Sequence, residues 1–289
     1  MTHAHGRNLT ETTLPMQLRL LKLPSFVAAY EEFARQAERE GWTHIEYLGR
    51  LVELEISERR QRRVERLRKG SGLPEEKTLG ALKTEKLPAK VRRQLPALCE
   101  GGFVHRAENV LAFGLPGRGK THLVAAIGHE LVQRSFAVLF TPAYRLVQRL
   151  LAAKRDLALD RELKRLDTYD AVILDDLGYV QQDREEMEVL FTFLAERYER
   201  RSVLITSNLV FSKWDQIFKD PMTTMAAIDR LVHHATILEF TNGSVRAPQT
   251  KERQADQPAA PAIPFGSTPS VAPDGATDSV PPKGIAPKP

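Results

Sequence analysis

The chain has a single cysteine, Cys99, so no intrachain disulfide can staple the fold. That usage fits a reducing cytoplasm and leaves Cys99 as a small apolar side chain. No apolar run is long enough to cross a bilayer, which excludes a membrane-spanning helix and predicts no membrane partner. Met1 to Thr13 lacks the basic-then-apolar layout of a secretory signal and reads as a disordered lead. His3 and His5 have no further ligands nearby, and His233 and His234 have no carboxylate or cysteine companion in their stretch. No metal site is expected at either pair. Acid does not balance base: the formal net charge is +5, which permits a polyanionic partner without proving one.

What is present suffices for a large core. The 289 residues are 42% hydrophobic, enough for one large domain and an accessory piece, or for two modest domains. The organising stretch is Gly114-Leu115-Pro116-Gly117-Arg118-Gly119-Lys120-Thr121, which fits the phosphate-binding pattern G-x-x-x-x-G-K-[ST]. Val110–Phe113 leads into it as a strand and His122–Ile127 leads out as a helix. Glycines there let several N–H groups face one anion at the positive end of that helix. Gly114, Pro116, Gly117, Arg118, Gly119, Lys120, Thr121 and His122 are therefore the candidate nucleotide contacts. Lys120 is placed for the β- and γ-phosphates, and the Thr121 hydroxyl for Mg²⁺. Arg118 either adds a phosphate contact or faces solvent.

Taken in order, the chain first shows two helices. Ser25 after Pro24 is the expected N-cap of one, whose apolar face (Phe26, Ala29, Tyr30, Phe33, Ala34, Ala37) stops at Gly41. Thr43 and Glu46 form a capping-box pair opening the second, with an apolar stripe of Leu48, Leu51, Leu54, Val64 and Leu67 that ends at Gly70-Ser71-Gly72. Residues 14–72 thus read as a small helical module, at the lower size limit for folding alone. Its second helix carries Arg59, Arg60, Arg62, Arg63, Arg66, Arg68 and Lys69, which form either a solvated face or a polyanion-binding one. A basic connector, residues 73–108, repeats that ambiguity with Lys83, Lys86, Lys90, Arg92 and Arg93.

From residue 109 to 247 strands and helices alternate, which predicts an α/β domain with a mainly parallel five-stranded sheet. The expected strands are Val110–Phe113, Val138–Thr141, Ala171–Leu174, Val203–Thr206 and Ile237–Phe240. The expected helices are Thr121–Arg134, Tyr144–Ala153, Glu185–Tyr198 and Met225–His234. Residues 248–289, rich in Pro, Ala, Gly, Ser and Thr, read as a disordered tail.

The third strand ends in Asp175-Asp176, about fifty-five residues after Lys120, the spacing of an acidic partner to a phosphate loop. Asp175 is the candidate Mg²⁺ ligand, because a hard cation beside phosphates takes oxygen donors. Asp176 is the candidate for orienting or deprotonating the attacking water. Asn208, at the tip of the fourth strand, either bonds the γ-phosphate and lytic water or opens a turn. Arg230 either pairs with Asp229 or reaches a neighbouring subunit's ATP. Trp214 reads as core rather than a nucleotide platform.

These blocks together (GLPGRGKTHL, YDAVILDDLGY, ITSNLVFSKW and IDRLVHH) resemble the IstB-like AAA+ ATPases, over roughly residues 14–246. The resemblance implies a P-loop NTPase of AAA+ type, an ATPase using ATP and Mg²⁺. It implies a homo-oligomer with ATP at subunit interfaces that assembles on duplex DNA, deforms it and delivers it to a cognate transposase. It makes Asn208 the first sensor and Arg230 a finger acting across subunits, with Arg246 a candidate second sensor. Asp176 stands where most AAA+ proteins carry Glu and matches the IstB-like group. No C-terminal helical lid is expected after Phe240. The related DnaC-type helicase loader is the alternative function, sharing every ATP residue.

Overall fold

Alternation along each strand decides the architecture. In β1 (Asn109–Gly114), Leu111 and Phe113 point one way while Val110 and Ala112 point the other, and all four are buried. β3 (Ala171–Asp175) and β4 (Ser202–Ser207) behave alike: Val172, Leu174, Val203 and Ile205 join one core, and Ala171, Ile173 and Leu204 the other. Strands apolar on both faces must be covered on both, as in a parallel sheet wrapped by helices. In the computed structural model, which describes residues 13–179, 184–209 and 231–240, they form that sheet. Its order is β2-β3-β4-β1-β5, with β2 at Val138–Pro142 and β5 at Ala235–Phe240, and every pairing is parallel.

Three helices cover one face: α5 (Ala143–Arg155), α6 (Leu159–Asp167) and α7 (Arg184–Arg197). The other face carries α3 (Ala89–Glu100) and α4 (Lys120–Gln133). The expected strands and helices recur with ends shifted by two residues at most, apart from Met225–His234, of which only residues 231–234 are described. α6 has no counterpart among the expected helices, because its run is short and highly charged and Leu166 is its one fully buried side chain. α3 lies where a Pro-punctuated connector was expected. It contains Pro96, yet buries Val91, Leu95, Leu98 and Cys99 against the core.

The N-terminal helices α1 (Pro24–Glu40) and α2 (His44–Gly70) are joined by a short turn. Gly41 ends α1 in the left-handed conformation, at φ 68°. The capping box is present: the Glu46 N–H donates to the Thr43 hydroxyl, and the Thr43 N–H donates to Glu46 at 2.7 Å. The Thr43 N–H is the main reason the Glu46 carboxyl sits below its usual range. Two expectations need correction. Ser25 lies inside the first turn rather than at the cap; Leu23 is the N-cap, Pro24 opens the helix, and the Ser25 N–H donates to buried Glu55 at 2.9 Å. The apolar stripe of α2 is not continuous core either. Leu51 is buried, but Leu48 is exposed together with Ile45, Val52 and Ile56.

The far end of α2 leans on the sheet domain, with Val64 and Leu67 packed against its core and Arg63 donating to the Ser135 carbonyl. The chain then runs beside β2, where the Phe140 N–H donates to the Ser71 carbonyl at 2.7 Å. A Cβ on Gly72, at φ 68°, would lie 2.9 Å from the Phe140 carbonyl oxygen, so only glycine fits this contact with the edge strand.

One buried cation holds the base of the sheet. Arg197 is 2% exposed and donates to the carbonyls of Leu166, Tyr169 and Ser202 at 3.0 to 3.1 Å. Burial pushes its guanidinium down to about 10. Replacing it removes a buried donor from all of these carbonyls at once. Arg197→Met is expected to lower the unfolding free energy by about 2–4 kcal/mol. Exposed Arg200→Met should change it by less than about 1 kcal/mol. Urea unfolding of the two variants checks the contrast.

Candidate nucleotide-binding site

Parallel pairing aligns the carboxyl ends of β1, β3 and β4, with Phe113 opposite Ser207 and Leu174 opposite Ile205. The loop after β1, the acid pair after β3 and Asn208 after β4 therefore emerge at one end of the sheet, where ligands of open α/β sheets bind. Gly114, at φ 149°, leaves the sheet beside β5. A Cβ there would stand 2.6 Å from the Phe240 carbonyl oxygen. Gly119 takes φ 91° as the N-cap of α4. Lys120 is buried and folds back, its Nζ donating to the Gly114 carbonyl at 2.6 Å and the Leu115 carbonyl at 3.1 Å. The first N–H groups of α4 have no carbonyl partner one turn back and so face the loop.

A cavity of about 340 Å³ lies over the loop, lined by Lys77, Pro116, Gly117, Arg118, Gly119, Lys120, Thr121, His122, Asp176 and Asn208. The fold thus gathers nearly every expected contact. Gly114 and Asp175 lie behind its surface. The Gly114 carbonyl holds Lys120, and the Asp175 carboxylate accepts from the Thr206 hydroxyl at 2.6 Å. The same hydroxyl accepts from the Asp176 N–H at 2.8 Å, so one side chain orders both acids. Asp176 sits at φ 57°, a left-handed conformation that a residue with a Cβ holds only when its surroundings enforce it.

Two buried polar atoms in this lining have no hydrogen-bond partner in the protein: Arg118 Nη1 and Asn208 Oδ1. An unpaired guanidinium N–H beside Lys77, Lys120 and a helix N-terminus fits a polyphosphate. The carboxylates and the Thr121 hydroxyl across the loop fit a hard cation. Gly178 decides where Asn208 rests, since a Cβ on it would stand 2.1 Å from Asn208 Oδ1.

Lys77 was not foreseen, because nothing in its local sequence marks it. It arrives through backbone contacts of the connector, with His129 Nε2 at 3.0 Å from the Pro74 carbonyl and His122 Nε2 at 3.1 Å from the Thr78 carbonyl. His122 lines the cavity but spends one ring nitrogen on this connector. A second hollow of about 150 Å³ opens beside Gly119 and His122, against Ala81, Leu82, Lys83 and Leu87. Trp214, Asp229, Arg230 and Arg246 lie outside the described residues.

Comparison with known proteins agrees with this geometry. The family model described as IstB-like ATP binding protein matches residues 16–254. An insertion sequence ATP-binding protein of Sinorhizobium fredii, y4iQ/y4nD/y4sD, is 42% identical over 263 residues, covering 90% of this chain and 88% of the relative. The insertion sequence IS21 ATP-binding protein of Pseudomonas aeruginosa is 35% identical over 239 residues, covering 83% and 90%. Among solved structures, DnaI is similar with a TM-score of 0.50 and 22% identity, covering 59% of this chain and 96% of that one, a likeness of fold. The replication initiator DnaA bound to AMPPCP and single-stranded DNA has a TM-score of 0.50 at 18% identity, covering 59% and 51%. With most of its length matched by the family model and its phosphate loop, acid pair and Asn208 gathered at one sheet end, the chain belongs to the IstB-like ATP binding protein family.

Proposed function

We propose that this chain is a Mg²⁺-dependent ATPase of the cytoplasm that assembles with further copies of itself on duplex DNA, remodels it and hands it to a cognate transposase. The observation that carries the reading is the cavity in which Lys77, Arg118 and Lys120 face Asp176 and Asn208 across a helix N-terminus. In this reading Lys120 exchanges the Gly114 and Leu115 carbonyls for the β- and γ-phosphates, and Arg118 gives its unpaired N–H to a phosphate oxygen. Thr121 and Asp175 would hold Mg²⁺, which would supply charge neutralisation at the phosphates. Asp176 orients the water and takes its proton, while Asn208 positions the γ-phosphate. Arg230 of a neighbouring subunit completes the site.

The N-terminal helices suit the gripping of partners. Arg60 and Arg66 on α2 are exposed and have no acid within ion-pair range among the described residues, whereas Arg59, Arg62, Arg68 and Lys69 pair with glutamates. Lys83, Lys86, Lys90, Arg92 and Arg93 are exposed as well. Such groups bind phosphates with little regard to sequence and lose affinity as salt rises. Ile45, Leu48, Val52 and Ile56 recur at helical spacing and are exposed, a pattern that favours a protein partner or a second subunit. A helicase loader would use the same ATP residues; the insertion-sequence relatives favour transposition.

ATP turnover with and without duplex DNA tests the reading. Lys120→Ala should reduce hydrolysis to background. Arg230→Ala should keep ATP binding but lose the assembled rate by about 10³-fold or more. Wild-type turnover by Arg230→Ala under assembling conditions would remove the cross-subunit finger. Duplex DNA that neither binds nor stimulates would remove the remodelling role. Gly178→Ala should displace Asn208 and lower kcat by about tenfold or more while leaving ATP affinity within about twofold. Steady-state kinetics alongside nucleotide binding separates the two effects.

A further inference from the structure

Seen in the sequence alone, His233 and His234 lack a carboxylate companion; the fold supplies one. Glu199, just past the end of α7, comes to the turn before β5, and one ligand atom from each of Glu199, His233 and His234 lies within 4.8 Å of the others. We infer that these three side chains form a binding site for a divalent transition-metal ion of the zinc class, at the end of the sheet opposite the nucleotide cavity.

The spacing is that of ligands around an ion rather than of a closed polar cluster. His234 Nε2 and Glu199 Oε1 stand 3.9 Å apart, beyond a hydrogen bond. Two ligands of a tetrahedral ion at about 2.0–2.1 Å stand about 3.4 Å apart, so small rotations of exposed side chains close the site. The donor set, two imidazoles and one carboxylate, suits Zn²⁺ and its neighbours in the first transition row and suits Mg²⁺ poorly.

Around the three ligands the structure is ordered. The Tyr198 hydroxyl lies 3.2 Å from His233 Nδ1; when Nδ1–H donates to it, Nε2 keeps its lone pair for an ion, the outer-shell arrangement typical of metal-bound histidine. The two imidazole centroids are 4.3 Å apart. Glu199 is held at φ 54° where the helix terminates, with the Arg200 and Arg201 N–H groups both turned back to the Arg197 carbonyl. Opposite it, buried Asn109 fixes the turn: its N–H donates to the His234 carbonyl at 2.9 Å and its side-chain amide to the Leu231 carbonyl at 3.2 Å. Ligands borne on two separately anchored elements are what a preorganised site needs. Three exposed protein ligands leave a fourth position for water. An ion there would tie the end of α7 to the turn before β5, where His233 lies three residues after Arg230 in the chain.

The test uses the full chain without nucleotide, after chelator treatment, titrated with ZnCl₂ by calorimetry and with CoCl₂ by visible absorption. His3 and His5 are replaced by Ala throughout, so that the N-terminal histidines cannot supply the signal. One equivalent should bind, with a Co²⁺ spectrum free of thiolate charge transfer and a rise in Tm. His233→Ala, His234→Ala and Glu199→Gln should each weaken binding at least about tenfold. Their Tm without metal should stay unchanged, since all three side chains are exposed. No binding, or binding that survives in His233→Ala/His234→Ala, would overturn the site. Full affinity in Glu199→Gln would overturn the three-ligand assignment.

Discussion

The hydroxyl of Thr206 is the small contact on which the chemistry end of this protein depends. It donates to Asp175 at 2.6 Å and accepts from the Asp176 N–H at 2.8 Å, so it clamps the end of β3 to β4. Thr206 is itself fully buried, where an unpaired hydroxyl would be costly, and both of its bonds are made to the neighbouring strand. The clamp fixes more than distance. It enforces φ 57° at Asp176, which turns that residue into the cavity while Asp175 stays at the strand end. Asn208 follows two residues after the clamp, and Gly178 two residues after Asp176. Their close approach is possible only because Gly178 lacks a Cβ.

Much of this is legible in the sequence. Buried parallel strands announce themselves as short apolar runs, and the phosphate loop is a local motif whose glycines, lysine and threonine lie within eight residues. The capping box at Thr43 and Glu46 is local too, and it forms as expected. What stayed hidden depends on long-range approach. Ser25 has the composition of a cap, yet proline takes the first helical position and buried Glu55, thirty residues away, claims the Ser25 N–H. Nothing local marks Arg197, yet two of the carbonyls it donates to, Leu166 and Tyr169, come from 31 and 28 residues earlier in the chain, and the third is Ser202. Leu48 fits the apolar period of α2 and still faces outward, exposed together with Ile45, Val52 and Ile56. Period tells which residues share a face; it does not tell whether anything covers that face.

The connector shows the same limit with more consequence. Residues 71–82 contain no motif and, from residue 73 on, read only as a basic connector. Instead they are bound through backbone carbonyls (Ser71 to β2, Pro74 to His129, Thr78 to His122) and through Leu73, Leu79 and Leu82, which pack on the core. Contacts made by carbonyls leave no signature in residue identity, because every residue offers one. Their effect is nonetheless specific, since they lay the chain along α4 and bring Lys77 to the phosphate loop.

That path also bears on how the two ends of the molecule communicate. α2 is continuous from the α1 hairpin to Gly70, packs Val64 and Leu67 on the sheet domain, and passes without a free linker into the carbonyl contacts just described. His122 is shared between the connector and the cavity, and Lys77 lies between the two connector contacts to α4. The His122 ring cannot turn fully toward a bound polyphosphate without giving up its hydrogen bond to the Thr78 carbonyl. Pro74 is four residues from the end of α2, and the intervening Gly72 lies against Phe140, where a Cβ would stand 2.9 Å from the carbonyl oxygen. A P-loop protein with a flexible tether would isolate its partner-gripping helices from its nucleotide; this one joins them by a short, hydrogen-bonded segment of backbone.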